Sequence, residues 1–448
     1  MEIKVSKKRM LATIQNAVLS IDKLSKEKPI KIISHYDTDG ITSAAIASRA
    51  FQRWGKKFSL QVVKGLEEQF IRELPENQVL IFLDLASGSL GYLKDKKTEV
   101  FIFDHHEIVQ EIPANVTMIN PLILNHEPIS GAGIAYLLAK TISPQNTDLA
   151  HLAVIGMVGD VLERNLGKVY DDILKDADTV IKKGLLIYPS TRPLDKALEY
   201  SSNPYIPGVT GSYLGVLDVL REANIPKING KYKSLYELTN EEMSSLVTTI
   251  MLRYTGDKNP ADLIGNLFLI KFFNKLEDAR EISALINACS RMDYPSTALG
   301  FCLGNKKYKE EAERIYIEYK QHLVAALKHV AESENKITGK NYTIINAKDN
   351  VKDTIIGTVA SIISNSPTYT QGTVIVALAY NQDKIKVSAR IAGRNGRNVR
   401  EVLHQVVVPL GGEVGGHPAA AGCMITRDKE EKFITELQKV LEIELVKV

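Results

Sequence analysis

Glu99-Val100-Phe101-Ile102-Phe103-Asp104-His105-His106 carries the reading of the fold. A short apolar run rich in β-branched and aromatic residues reads as a buried strand, and here it breaks into a carboxylate and two imidazoles. The pattern recurs. Ile30 to Ile33 runs into His35-Tyr36-Asp37-Thr38-Asp39-Gly40, Val79 to Leu83 into Asp84, and Leu152 to Gly159 into Asp160. Four strand-like segments thus end in oxygen or imidazole side chains. An open α/β sheet places its chemistry outside the carboxyl ends of its strands, so these ends are expected to converge.

His35, Asp37 and Asp39 are spaced i, i+2, i+4 and leave one face of an extended backbone. With Asp84, His105 and Asp160 the set holds four carboxylates and two imidazoles. That is too many for one octahedral ion that must keep open positions. It fits two divalent ions about 3.5–4 Å apart, bridged by one carboxylate. Mixed carboxylate and imidazole ligation favours Mn2+, with Mg2+ as the alternative. No cysteine joins the set, which argues against a closed zinc site. One such aspartate alone would read as a helix cap or turn residue; the weight lies in four segments together.

These segments resemble the four motifs of the DHH phosphoesterase superfamily: His35-x-Asp37-x-Asp39-Gly40, Asp84-Leu85-Ala86-Ser87-Gly88, the triplet Asp104-His105-His106, and Gly156-Met157-Val158-Gly159-Asp160. Near the C-terminus, Gly415-Gly416-His417-Pro418-Ala419-Ala420-Ala421-Gly422 resembles the signature of the DHHA1 domain, the substrate-binding partner in RecJ-type nucleases and small oligonucleotide phosphodiesterases. The likeness runs from about residue 30 to 425 and leaves no expected ligand position unfilled.

The resemblance implies roles. His35, Asp37 and Asp84 hold one ion; Asp39, Asp84, His105 and Asp160 hold the other, with Asp84 bridging. Water attacks phosphorus, His106 points at the scissile phosphate, and Asp104 orients a ligand histidine. Gly415, Gly416 and His417 bind substrate phosphate, with Ser388, Arg390 and Asn395 facing the same cleft. Asn287 and Arg291, four apart in Leu285 to Arg291, either face the cleft or serve packing. Tyr36 either stacks on a base or is buried beside the metal. The branch most resembled is the archaeal RecJ-like one, which implies a metal-dependent exonuclease on single-stranded DNA or RNA. GINS or another replication or repair complex is the implied protein partner. Two alternatives stay open: a phosphodiesterase for short oligonucleotides or cyclic dinucleotides, and a replication scaffold related to the eukaryotic helicase subunit of the family. Such scaffolds have lost metal ligands, whereas all six stand here.

Length and composition set the bounds. The chain has 448 residues, 44% hydrophobic and 24% charged, enough for two or three globular domains. A net charge of +3 excludes a polycation. Basic charge is local: Lys384, Lys386, Arg390, Arg394, Arg397 and Arg400 fall in one acid-free stretch. Three scattered cysteines, a mixed-charge start without signal-peptide character, and no apolar run of about 18 residues lead to the expectation of a cytoplasmic protein without a membrane span.

The expected fold class is α/β. A DHH catalytic domain over 1–306 is built on a parallel sheet with strands at 30–35, 58–63, 79–84, 99–104 and 116–119. It includes a mostly helical region at about 165–300, with loops near Pro204 to Gly208 and Pro226 to Lys233. A helix over 8–25 precedes the first strand and another spans Thr42 to Trp54. Ser130-Gly131-Ala132-Gly133 opens a helix to Ile142, and its glycines serve either an anion or close helix–sheet packing. A connecting helix follows over 307–336, where Tyr308 to Asn335 lacks Gly and Pro. The DHHA1 substrate-binding domain, 337–448, is a smaller α/β unit in which the alanines after His417 read as the start of a helix.

Overall fold

The computed structural model describes residues 2–164, 166–201, 206–253, 263–332, 336–366, 368–393 and 395–443, with 2–7 by backbone alone. The chain divides into two compact units. One comprises Met1–Ala197, Leu220–Thr248 and Leu263–Tyr316; the other takes the described residues of Leu198–Val219, Thr249–Asp262 and Ile317–Val448.

The first unit is built on the expected parallel sheet. Its strands are β1 (Ile30–His35), β2 (Phe58–Val63), β3 (Val79–Leu83), β4 (Val100–Phe103) and β5 (Val116–Ile119), in the order β2-β1-β3-β4-β5. Every residue of β3 and β4 is buried, as helices on both faces of a parallel sheet require. The chain leaves β1 for β2 on one side and returns to β3 on the other. The crevice at the carboxyl ends of β1 and β3 is therefore a topological switch point, where α/β sheets bind ligands. His35 ends β1 and Asp84 follows β3.

The helix after β1 begins at Thr38 rather than Thr42 and runs to Arg53. Asp37 caps it, its side chain accepting the Gly40 N–H at 3.0 Å. The chain turns so tightly there that a Cβ on Gly40 would stand 2.3 Å from the His35 carbonyl oxygen. The Leu152 to Gly159 run is a helix, Ala150–Gly159, and not a strand. It is apolar on all sides because it is buried on all sides, and apolar runs alone do not separate such a helix from a core strand.

Residues 165–300 contain helices, but also an antiparallel sheet absent from the sequence reading: β6 (Val180–Leu185), β7 (Ile264–Phe272) and β8 (Lys275–Asp278). Of the loop expected at Pro204 to Gly208, Pro204 and Tyr205 lie outside the described residues. Lys306–Glu332 is one continuous helix; its expected end at 333–335 also lies outside them. Among the described residues no helix is long and apolar enough to cross a membrane.

The second unit carries a mixed sheet, β13-β14-β12-β11-β10-β9. Its strands are β9 (Lys336–Gly339), β10 (Tyr342–Asn346), β11 (Val374–Asn381), β12 (Lys384–Ile391), β13 (Val414–His417) and β14 (Ala420–Thr426). Ile385, Val387 and Ala389 of β12, with Ala421, Cys423 and Ile425 of β14, point into one core with Phe433 and Leu437 of the helix Glu430–Glu442. The expected helix after His417 is instead strand β14. Ala421, Cys423 and Ile425 alternate with less buried neighbours, and this period of two overrides the helical preference of alanine.

Candidate metal centre

The six expected ligands come together in the first unit. They fall into two groups, His35–Asp37–Asp84 and Asp39–Asp84–His105–Asp160, and a third group, Asp84–Asp104–His105–His106, adjoins them; in each the potential ligand atoms lie within 4.8 Å of one another. Asp84 belongs to all three. The Nδ1 of His35 is 3.0 Å from Asp37 Oδ2 and 3.6 Å from Asp84 Oδ2. The Nε2 of His105 is 2.9 Å from Asp160 Oδ2, 3.2 Å from Asp84 Oδ1 and 3.7 Å from Asp39 Oδ2. Yet His35 Nδ1, His105 Nε2 and both Asp84 oxygens are buried without a hydrogen-bond partner. Buried polar atoms normally find one. Converging oxygen and imidazole donors left open in this way fit divalent cations.

The fold works to hold these charges. Asp39, fully buried, accepts the N–H groups of Gly131 (2.6 Å) and Ala132 (2.9 Å) at the start of the helix Gly131–Ile142. The anion served by Ser130-Gly131-Ala132-Gly133 is thus the protein's own carboxylate, and close packing holds as well. A Cβ on Gly131 would meet Asp84 at 2.7 Å, and one on Gly156 would meet Asp39 Oδ1 at 2.4 Å. Asp84 takes φ +60° and Ala86 φ +93°. An aspartate tolerates that left-handed geometry; an alanine does so under strain.

Burial, and then the neighbouring charges of Asp84 and Asp160, push the Asp39 carboxyl well above the usual carboxylate range. Burial raises Asp160 too, partly offset by His105. For His35 and His105 burial acts downward, but the surrounding carboxylates outweigh it and raise both imidazoles.

Asp104 pairs with the ring of His106 rather than with that of His105. Its Oδ1 lies 2.7 Å from Nδ1 of His106 and touches His105 only through the main-chain N–H, at 2.8 Å. Burial pushes the Asp104 carboxyl up, but the His106 ring and the Ser87 N–H hold it below the usual range. The pairing in turn raises His106 against the effect of its own burial.

Asn287, half-buried on the helix Ala279–Arg291, accepts the Thr38 N–H at 3.1 Å, and Thr38 Oγ1 donates to the Ser283 carbonyl at 2.9 Å. Asn287 therefore braces the ligand loop, which is the packing alternative. Arg291 is half-buried at the end of the same helix. Tyr36 is half-buried with its ring edge-on to His35, 5.2 Å between centroids. Sequence reasoning missed the Thr38–Ser283 contact, which leaves no motif, and did not identify Asp39 as the anion that the Gly131 and Ala132 amides bind.

In the second unit, register sets His417, Ala420 and Arg390 in one row and Gly415, Gly422 and Ser388 in the next, on one sheet face. The glycines leave that face open beside the exposed His417. Arg390 is tied to the helix Asp353–Ser364, its Nε donating to Ser361 Oγ at 2.8 Å. Ser388 is buried near Gly357 of that helix. Gly416 has φ +115°, and a Cβ there would stand 2.4 Å from the Ala420 carbonyl oxygen; it belongs to the hairpin's geometry rather than to the open face. Asn395 is exposed on a loop outside the row. Arg397, from the acid-free basic stretch, donates to the carbonyls of Val440 and Leu441 at 2.8 and 3.2 Å. Arg394 lies outside the described residues.

Residues 29–157 match the DHH family, N-terminal domain, residues 187–268 the DHH-CID domain, and residues 339–443 the DHHA1 domain. An uncharacterized protein of Methanocaldococcus jannaschii is 27% identical over 431 residues, covering 92% of this chain and 93% of its own length. The single-stranded-DNA-specific exonuclease RecJ of Thermus thermophilus is 28% identical over 163 residues, 32% of this chain and 24% of that protein. Its structure in complex with Mn2+ shares the fold, with TM-score 0.58 and 17% identity over 96% of this chain and 55% of that one. CDC45 from Entamoeba histolytica does so with TM-score 0.66 and 12% identity, covering 97% and 99%. The chain thus spans about half of the RecJ structure. The domain matches support a phosphoesterase of nuclease type. The chain belongs to the RecJ-like DHH/DHHA1 superfamily.

Proposed function

We propose that this chain is a metal-dependent exonuclease that hydrolyses phosphodiester bonds of single-stranded DNA or RNA. The observation that carries the reading is the pair of ligand groups sharing Asp84, with donor atoms of His35, His105 and Asp84 buried without a hydrogen-bond partner. His35, Asp37 and Asp84 would hold one divalent ion, and Asp39, Asp84, His105 and Asp160 a second, Mn2+ or Mg2+. Ions at such a site supply a hydroxide nucleophile at neutral pH and neutralise phosphate charge.

The chain's own groups do the rest. The His106 ring and the Ser87 N–H hold the buried Asp104 carboxyl below the usual range, so it would accept and Nδ1 of His106 would donate between them. Nε2 of the half-exposed ring would then donate to a phosphate oxygen when the ring is the imidazolium, the form that the pairing with Asp104 favours. In the second unit, His417 and Arg390 beside the glycine floor would hold substrate phosphate, as charge-assisted donors do. The same reading places the protein in the archaeal-type branch, in the cytoplasm, in DNA replication and repair or RNA turnover, with GINS or a similar complex as partner. The near full-length likeness to the Methanocaldococcus protein supports that branch.

The test is a digestion time course with Mn2+ or Mg2+ on end-labelled single strands of DNA and RNA, from dinucleotides to a few dozen nucleotides, with Asp84→Ala as control. Laddering of long strands, lost in the variant, is the expected result and gives the polarity. Cleavage confined to the shortest substrates would replace this reading with the oligonucleotide phosphodiesterase. No cleavage by metal-loaded protein would overturn enzymatic function and leave the scaffold.

A further inference from the structure

Strand β5 ends as its neighbours do, on a polar residue at the carboxyl edge. Asn120 is fully buried and stands before Pro121, where an asparagine ordinarily makes a turn. Its Oδ1 does that, accepting the Leu122 N–H at 2.9 Å. Its amide nitrogen does something the turn does not need. It donates to the His106 carbonyl at 2.9 Å and to Ser87 Oγ at 3.2 Å. Ser87, also fully buried, donates its main-chain N–H to Asp104 Oδ2 at 2.9 Å, while Asp104 Oδ1 holds the ring of His106 at 2.7 Å. Asn120, Ser87, Asp104 and His106 thus close a ring of hydrogen bonds that fixes His106 at both its main chain and its imidazole.

We infer that Asn120, acting with Ser87, is a positioning residue that sets the orientation of the His106 ring toward the reacting phosphate; this rests on the phosphodiesterase reading above. The position needs one acceptor and two donors within a buried space. Aspartate keeps the acceptor and lacks the donors, so Asn120→Asp separates the turn from the positioning role.

With Asn120→Asp we expect kcat to fall roughly ten- to a hundredfold, with KM and calorimetric Mn2+ affinity unchanged. Ser87→Ala should show a smaller loss, because its main-chain N–H still reaches Asp104. In a His106→Ala background, Asn120→Asp should cost nothing further. An NMR readout stands apart from activity: the 15N signals of the His106 ring should report one fixed ring state with Nδ1 hydrogen-bonded in the wild type and a shifted or averaged state in Asn120→Asp. Asn120→Ala, with its melting temperature, controls for loss of fold. An undiminished loss in the His106→Ala background, or unchanged His106 ring signals, would overturn the inference. Absence of any wild-type cleavage would strike the functional reading instead, and the ring signals would still decide the frame.

Discussion

Gly131→Ala adds one methyl group to the most crowded point of the metal centre. The new Cβ would stand 2.7 Å from Asp84 Cβ, 2.8 Å from Asp84 Oδ1 and 3.0 Å from Asp39 Oδ2. Comfortable contact begins near ~3.5 Å, so the two carboxylates must give way by about 0.5–0.8 Å. Neither retreats easily. The Asp84 main-chain N–H is bonded to the Phe103 carbonyl at 2.8 Å, and Asp39 is held by the amides of Gly131 and Ala132. Overpacking costs about 1–3 kcal/mol, and removing a helical glycine returns about 0.5–1 kcal/mol. The net loss of stability is therefore about 0–2.5 kcal/mol. Since Asp84 belongs to both ligand groups, Mn2+ affinity should fall roughly ten- to a hundredfold. Gly133→Ala, in the same helix, is the matched control: its Cβ would press on Ile129, just before the helix, at 2.5 Å, with no ligand carboxylate among its nearest atoms. Calorimetric Mn2+ titration and thermal melts of both variants decide the matter. Equal affinity losses in the two, or wild-type affinity in Gly131→Ala, would refute the reasoning.

His417→Ala removes an exposed donor from the open face of the second sheet; loss of a charge-assisted bond of ~1.5–3 kcal/mol should raise KM at least roughly tenfold in the strand-digestion assay, with Mn2+ affinity intact. Arg397→Ala strips the donor that satisfies the Val440 and Leu441 carbonyls and should cost about 1–2 kcal/mol in urea unfolding without altering Mn2+ binding. Asn287→Ala takes the acceptor from the Thr38 N–H; hydrogen exchange at that amide should accelerate, and an unchanged rate would show that Asn287 does not brace the ligand loop.

Much of this was legible because the ligands sit at element ends in short apolar contexts. Asp84 and His105 follow strands whose burial on both faces writes itself as continuous apolar residues, and His35 ends a strand of mostly buried ones. Asp160 was legible as a ligand candidate but not as the end of a helix, because a helix buried all round has no amphipathic period to read. Strand β14 was hidden by its alanines, whose preference for helix yields to cross-strand pairing with β12 and β13. The choice of His106 over His105 as the partner of Asp104 depends on which ring turns back toward the strand end, and adjacent residues in sequence leave that choice open. Asn120 lies beyond the triplet and pairs across to Ser87; such contacts are tertiary and leave no local pattern.

The crowded carboxylates make a joint prediction about acid, metal and stability. Asp39, Asp160, His35 and His105 all have pKa values raised in the folded state. A group raised on folding stabilises the fold below its unfolded pKa, and that contribution is lost as pH climbs through the folded value. For the imidazoles the loss begins near ~6.5 and extends upward; for the carboxylates it begins near ~3.9. Metal-free protein should therefore melt at lower temperature as pH rises from about 6 to 8, because the protons that separate the charges are leaving. A divalent ion replaces those protons and binds only deprotonated ligands, so its affinity rises over the same interval. At a hundredfold excess over Kd it adds about 2.7 kcal/mol, roughly 5–11 °C for a unit of this size. Melting temperature should then fall with pH under chelator, and the gain produced by Mn2+ or Mg2+ should grow with pH. If the chelated and loaded proteins instead keep a constant separation across the interval, the ion is not displacing protons from these four groups, and the cluster is not the metal centre.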